Sequence, residues 1–206
     1  MQLTVYKNSE ERLIPKGQGI YAFFLDLMSP AKIGLVGQSG FTEAQLTTAR
    51  DSLHRRVEKA LRIYRSSQLE GEIRELKKGT HFAKFFRMQA EEMAPLRVLE
   101  DLAGMRPQQL MSYLMVARFT TLFAPPIYVG ITREQTLQER YRQHKYNFDS
   151  QEQKGSFGAR LRESGFDWDD IVFACIEFSQ GEDDSTVLRI LERHLQAISN
   201  PMLSLA

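Results

Sequence analysis

The chain has 206 residues, 42% of them hydrophobic and 26% charged, with a net charge of +1. This is the composition of a globular protein rather than a disordered or fibrous one, and the length admits one large domain or two small ones. Near-neutrality excludes a strong non-specific pull toward nucleic acid from charge alone.

The single cysteine, Cys175, excludes an internal disulfide framework and a Cys-rich zinc site, and fits a reducing cytoplasm. No stretch approaches the roughly 20 apolar residues that span a bilayer. The opening MQLTVYKNSEERLIP lacks the charged and apolar regions of a secretory signal, so the expected location is cytoplasmic.

In chain order, GIYAFFLDL and KIGLVGQ have the β-branched and aromatic content of strands. Met28-Ser29-Pro30 turns between them, because proline cannot join a central ladder. Apolar spacing predicts a helix from about 50 to 66, then a second helix, a strand HFAKFFRM and a helix to about Gly104. MRPQQ, at about 105 to 109, is the expected linker. Beyond it come strands MVARFTTLF and PIYVGIT, turned at Ala124-Pro125-Pro126, then helices TLQERYRQHKYNF and FGARLRES. Strand IVFACIEF places Cys175 in the core, Trp168 of GFDWDD anchors a turn, and TVLRILERHLQAI closes as a helix.

The two halves look alike. Phe82-Ala83 aligns with Phe173-Ala174, and the run Leu96 to Glu100 aligns with the run Leu188 to Glu192. LVGQS followed by DSLHRRV aligns with YVGIT followed by QTLQERY, setting Gly37 on Gly130, Leu53 on Leu137 and Arg56 on Arg140. Self-similarity of this kind predicts a duplication, with domains at 1–108 and 109–206.

Charge is unevenly spread. Residues 50 to 87 are rich in Lys and Arg, among them Arg56, Lys59 and Arg62, while acids gather at 167 to 184. The basic stretch is either a track for a phosphate backbone or a solvated helix face laced with Glu58, Glu70, Glu72 and Glu75.

One constellation carries chemistry. Tyr128-Val129-Gly130 ends a strand, and the helix after it bears Arg140 and His144 one turn apart, on the same face. Glu192 begins the inward face of the last helix, where a carboxylate can hold a divalent cation. Arginine offers a planar fork of donors matched to a phosphate, so this set suits phosphodiester hydrolysis. Singly, each has a plainer reading: a strand aromatic, a solvated helix face, or an ion pair of Glu192 with Arg189.

Gly19-Ile20-Tyr21, then Tyr128-Val129-Gly130 with LQERYRQH, then LERHLQAISNPMLS, resemble the GIY-YIG nuclease superfamily. The resemblance implies an α+β fold in which each of two tandem domains is a small three-stranded, mostly antiparallel sheet flanked by helices. It implies hydrolysis with one Mg²⁺ or Mn²⁺ held by Glu192, water oriented or deprotonated by Tyr128, and the scissile phosphate held by Arg140. His144 assists Tyr128 or the phosphate, and Tyr21 joins the catalytic set if it reaches the second site. DNA is the implied substrate, with RNA open, and Arg56, Lys59, Arg62, Arg142 and Lys145 are candidate contacts to it.

The sequence departs from the family pattern in both halves. Met115-Val116-Ala117 stands where the second half needs its GIY, and Ser204 where the closing asparagine belongs. The first half keeps Tyr21, Arg56 and Glu100 but has Leu35 and Ala60 in place of the second tyrosine and the histidine. A single domain with a long insertion between GIY and YVG is the alternative topology. A nucleic-acid-binding pseudonuclease and a protein-interaction module are the alternative functions.

Overall fold

The computed structural model describes residues 2–36, 40–77, 80–91, 96–117, 120–150, 154–178, 189–195 and 203, with backbone alone between 62 and 97. In chain order the elements are β1 (Leu3–Tyr6), β2 (Gly19–Leu25), α1 (Glu43–Arg65), β3 (Ser66–Lys77), β4 (Thr80–Glu91) and α2 (Leu96–Gly104). They continue with α3 (Pro107–Ala117), β5 (Tyr128–Ile131), α4 (Leu137–Asp149), α5 (Phe157–Glu163) and β6 (Ile171–Glu177), and residues 189–195 are helical. The chain is thus mixed α and β. Among the described residues no helix is long and apolar enough to cross a membrane.

The principal sheet is antiparallel, in the order β1-β6-β2-β5. In β2 the alternation of GIYAFFL buries Gly19, Tyr21, Phe23 and Leu25 on one face, as a period of two requires. β6 lies inside the sheet, and its residues Ile171 to Cys175 are all buried. Cys175 is a core residue, and burial followed by the charge of Glu177 pushes its thiol up to about 12. Trp168 is buried as well, its indole N–H donating to Tyr141 Oη at 2.9 Å.

This sheet does not confirm the expected tandem arrangement. β2 belongs to the first half, yet both of its edges are taken by strands of the second, β5 on one side and β6 on the other. Apolar packing also crosses the expected boundary at residue 108. Leu99 and Leu102 of α2 share an apolar cluster with Leu110 and Leu114 of α3 and with Leu46, Ala49 and Leu53 of α1. The sheet therefore follows the single-domain alternative, with GIY and YVG side by side and more than a hundred residues between them in sequence.

Three local expectations are corrected too. In KIGLVGQ, Pro30–Ile33 is a 3₁₀ turn closed by Gly34 at φ 88°, a left-handed angle that glycine adopts without strain. Residues 107–117 of the supposed linker and strand form α3, with Pro107 at its favoured first position and Leu110, Leu114 and Ala117 buried at helical spacing. The second helix after residue 66 is β3, which pairs with β4 from Ser66↔Glu91 to Lys77↔Thr80. There the ladder to a neighbouring strand outweighs the helical preference of Leu, Glu and Arg.

Candidate active site

The site starts from strand register. β2 and β5 pair Tyr21 with Gly130 and Phe23 with Tyr128. The Tyr21 ring lies over Gly130 so closely that a Cβ there would stand 2.5 Å from Tyr21 Oη. Glycine at this position is a steric requirement of the buried tyrosine. Gly130→Ala should therefore cost about 1–3 kcal/mol through overpacking, read as a fall in the urea midpoint.

α4 supplies the second wall. It opens on a capping box, Thr136 accepting from Glu139 N while the Glu139 carboxylate accepts from Thr136 N. Leu137, Tyr141 and His144 are buried from this helix. Tyr21 Oη lies 2.8 Å from His144 Nε2 and accepts from Arg140 Nε at 3.1 Å. The Tyr128 ring stands 6.0 Å from that of Tyr21 and 5.2 Å from the imidazole, edge to face. A phenol, a guanidinium and an imidazole thus meet at one atom, with a second phenol beside them.

Electrostatics fix their protonation. Burial, and after it the phenol of Tyr128, raises the Tyr21 hydroxyl well above the usual tyrosine range, so it is a neutral phenol at ordinary pH. Burial, then the charges of Arg140 and Arg160, lowers His144 to about 3, so its ring is uncharged. Across the 2.8 Å contact these two neutral groups share a hydrogen bond. His144 Nδ1, by contrast, is buried without a hydrogen-bond partner among the described residues.

The imidazole gives a pH prediction. Its folded pKa of about 3 lies below the unfolded value of 6.5, so the folded state binds fewer protons between them. The stability carried by neutral His144 is complete above about pH 6.5 and is lost as pH falls toward 3. The slope approaches 1.4 kcal/mol per pH unit, or about 2 kcal/mol between pH 6.5 and 5. Urea unfolding at a series of pH values should show this loss, and a His144→Phe variant should lack it.

Above the cluster is an open groove of about 450 Å³, lined by Thr132, Arg133, Glu134, Arg140, Gln143 and Glu192 among others. Arg140 belongs to both the buried cluster and this groove. Its Nη1 donates to Gln143 Oε1, which braces the guanidinium from the same helix. Glu192 enters from the helical residues 189–195 and accepts from Arg133 Nη2 at 2.7 Å. Among the described residues no three His, Cys, Asp or Glu side chains form a metal cluster. A hard cation of the magnesium kind keeps several waters and takes one or two carboxylates, so Glu192, with Glu134 in the same groove, fits one.

Of the expected site residues, Tyr21, Tyr128, Arg140 and His144 come together, and Glu192 shares the groove with Arg140. The expected nucleic-acid contacts behave differently. Arg56 is mostly buried, donating to Asp170 Oδ1 at 2.9 Å and to the Asp26 carbonyl at 3.0 Å, so it ties α1 to the sheet. Lys59 lies over the Phe166 ring at 4.2 Å and donates to the Gly165 carbonyl. Arg142 and Lys145 both pair with Glu11, at 2.8 and 3.4 Å. The side chain of Arg62 lies outside the described residues. Glu100 is exposed on α2, and Ala60 is buried in the core. Gly37 and Ser204 lie outside the described residues.

Sequence reasoning missed Arg133 and Gln143. Gln143 lies three residues after Arg140, a helical neighbour that the same-face argument reaches. Arg133 sits in the short connection before α4 and carries no periodic signal. Compared with family models, with curated proteins and with solved structures, the chain matches none.

Proposed function

We propose that this protein is a divalent-metal-dependent endonuclease of the GIY-YIG kind, hydrolysing DNA phosphodiester bonds in the groove beside α4. One observation carries the reading. Tyr21 Oη meets both His144 and Arg140, next to Tyr128, and Arg140 lines one groove with Glu192. Strands β6, β2 and β5, antiparallel with β2 between its neighbours, agree with the sheet that the resemblance implies.

Arg140 holds the scissile phosphate, its guanidinium aimed by Tyr21 through Nε and by Gln143 through Nη1. Tyr128, partly exposed at the start of β5, orients the attacking water. Tyr21 and His144 keep a proton on a short path beside it. Water adds to phosphorus and releases a proton to solvent in the open groove, the ester P–O bond breaks, and the departing alkoxide takes up a proton. A Mg²⁺ or Mn²⁺ ion at Glu192 supplies charge neutralisation at the phosphoryl oxygen.

The test is supercoiled plasmid incubated with Mg²⁺ or Mn²⁺, beside EDTA and Glu192→Gln controls. Nicked or linear product that disappears in both controls supports the reading, and intact plasmid with either cation overturns it. A second reading, binding of nucleic acid without cleavage, draws on the Arg133 guanidinium already seated on Glu192. Salt-dependent retention of plasmid with no product would favour it.

A further inference from the structure

Arg133 has no part in the resemblance, yet it makes the contact that matters most to a cation at Glu192. Its Nη2 lies 2.7 Å from Glu192 Oε2, and both side chains are about a third exposed or less, at 33% and 26%. Its backbone is tied down as well, because Gln18 donates to the Arg133 carbonyl. The residue therefore sits in a backbone-anchored connection between β5 and α4, with its side chain held on Glu192. A half-buried carboxylate without a counter-charge carries a desolvation penalty, which a guanidinium offsets. A cation and a guanidinium on one carboxylate repel each other, so each weakens the other's hold on it.

We infer that Arg133 is an exchangeable placeholder for the divalent cation. It neutralises Glu192 in the resting protein, gives up the carboxylate when the cation enters, and then joins Arg140 as a second guanidinium for the phosphate in the same groove. This rests on the proposal that Glu192 holds the cation. An ion pair that lines a groove open to solvent contributes modestly, so the exchange is reversible at ordinary cation concentrations.

The test is Mn²⁺ binding by calorimetry, without DNA, to the wild-type chain, Arg133→Ala, Arg140→Ala and Glu192→Gln. Placeholder behaviour predicts Mn²⁺ binding about two- to fivefold tighter in Arg133→Ala, by more than in Arg140→Ala, and abolished in Glu192→Gln. The two alanine variants remove the same charge from the same groove, so equal tightening in both is a field effect and overturns the inference. Unchanged or weaker binding in Arg133→Ala, with loss in Glu192→Gln, overturns the inference while leaving Glu192 as the cation's carboxylate. Binding that ignores Glu192→Gln, or no binding at all, overturns the reading of Glu192 and the placeholder with it. Circular dichroism of each variant separates these outcomes from misfolding.

Discussion

Arg140→Ala should lower plasmid cleavage by about 100- to 1000-fold, the range expected when one preorganised donor to developing charge is removed. The size follows from position. Among the described residues, Arg140 alone belongs to both the buried tyrosine cluster and the open groove, held by Tyr21 at 3.1 Å. The change removes the guanidinium proposed to hold the phosphate and leaves Tyr21 its bond to His144. Arg140→Lys keeps the charge but not the planar fork or the Nε–H that reads Tyr21, so it should restore only part of the rate. Single-turnover kinetics separates the effect from DNA binding. A variant cleaving within a few fold of wild type would remove Arg140 from the chemistry.

Phe23→Ala should have the largest effect on stability, about 3–5 kcal/mol. Phe23 is 0% exposed in the middle of β2. Its ring stacks on Phe157 at 4.7 Å, with Phe173 at 5.2 Å and Trp168 at 5.5 Å. It also packs edge to face against His144 at 5.6 Å and Tyr21 at 6.0 Å, so the hole would open directly under the site. Such a loss is a large fraction of the stability of an ordinary domain. Urea unfolding would read it as a lower midpoint with an unchanged slope. Phe23→Leu, which refills much of the volume, should recover about half.

Local patterns in the sequence were enough to place β2, α4, α5 and β6, because each carries its periodicity within a dozen residues. The same holds for the shared face of Arg140 and His144, which are four residues apart on one helix. Pairing was not legible. Nothing in GIYAFFL states that its neighbours are YVGI and IVFACIE, since the alternation that buries one face is blind to which strand lies alongside.

The internal likeness has a physical source that does not require two domains. Leu53 and Leu137 are both fully buried helix positions, and each is followed three residues later by an arginine at the helix margin. The partners then diverge. Arg56 turns to Asp170, whereas Arg140 turns to Tyr21 and lines the groove. Similar amphipathic spacing produced similar sequences with different destinations. MVARFTTLF misled through its β-branched and aromatic residues, although Leu110, Leu114 and Ala117 already stood at helical intervals. Arg133 stayed invisible because its importance lies in reaching Glu192, 59 residues away in the chain.

The central claim is that residues from both halves of the chain build one hydrolytic site, and Tyr21→Phe tests it most directly. The substitution removes one oxygen, keeps the ring in its 1%-exposed slot, and takes the shared partner from His144 and Arg140. Single-turnover cleavage of plasmid with Mn²⁺ should fall by at least about 100-fold in a folded variant. Cleavage at the wild-type rate would contradict a site that includes Tyr21, and no cleavage by the wild-type chain would contradict hydrolysis itself.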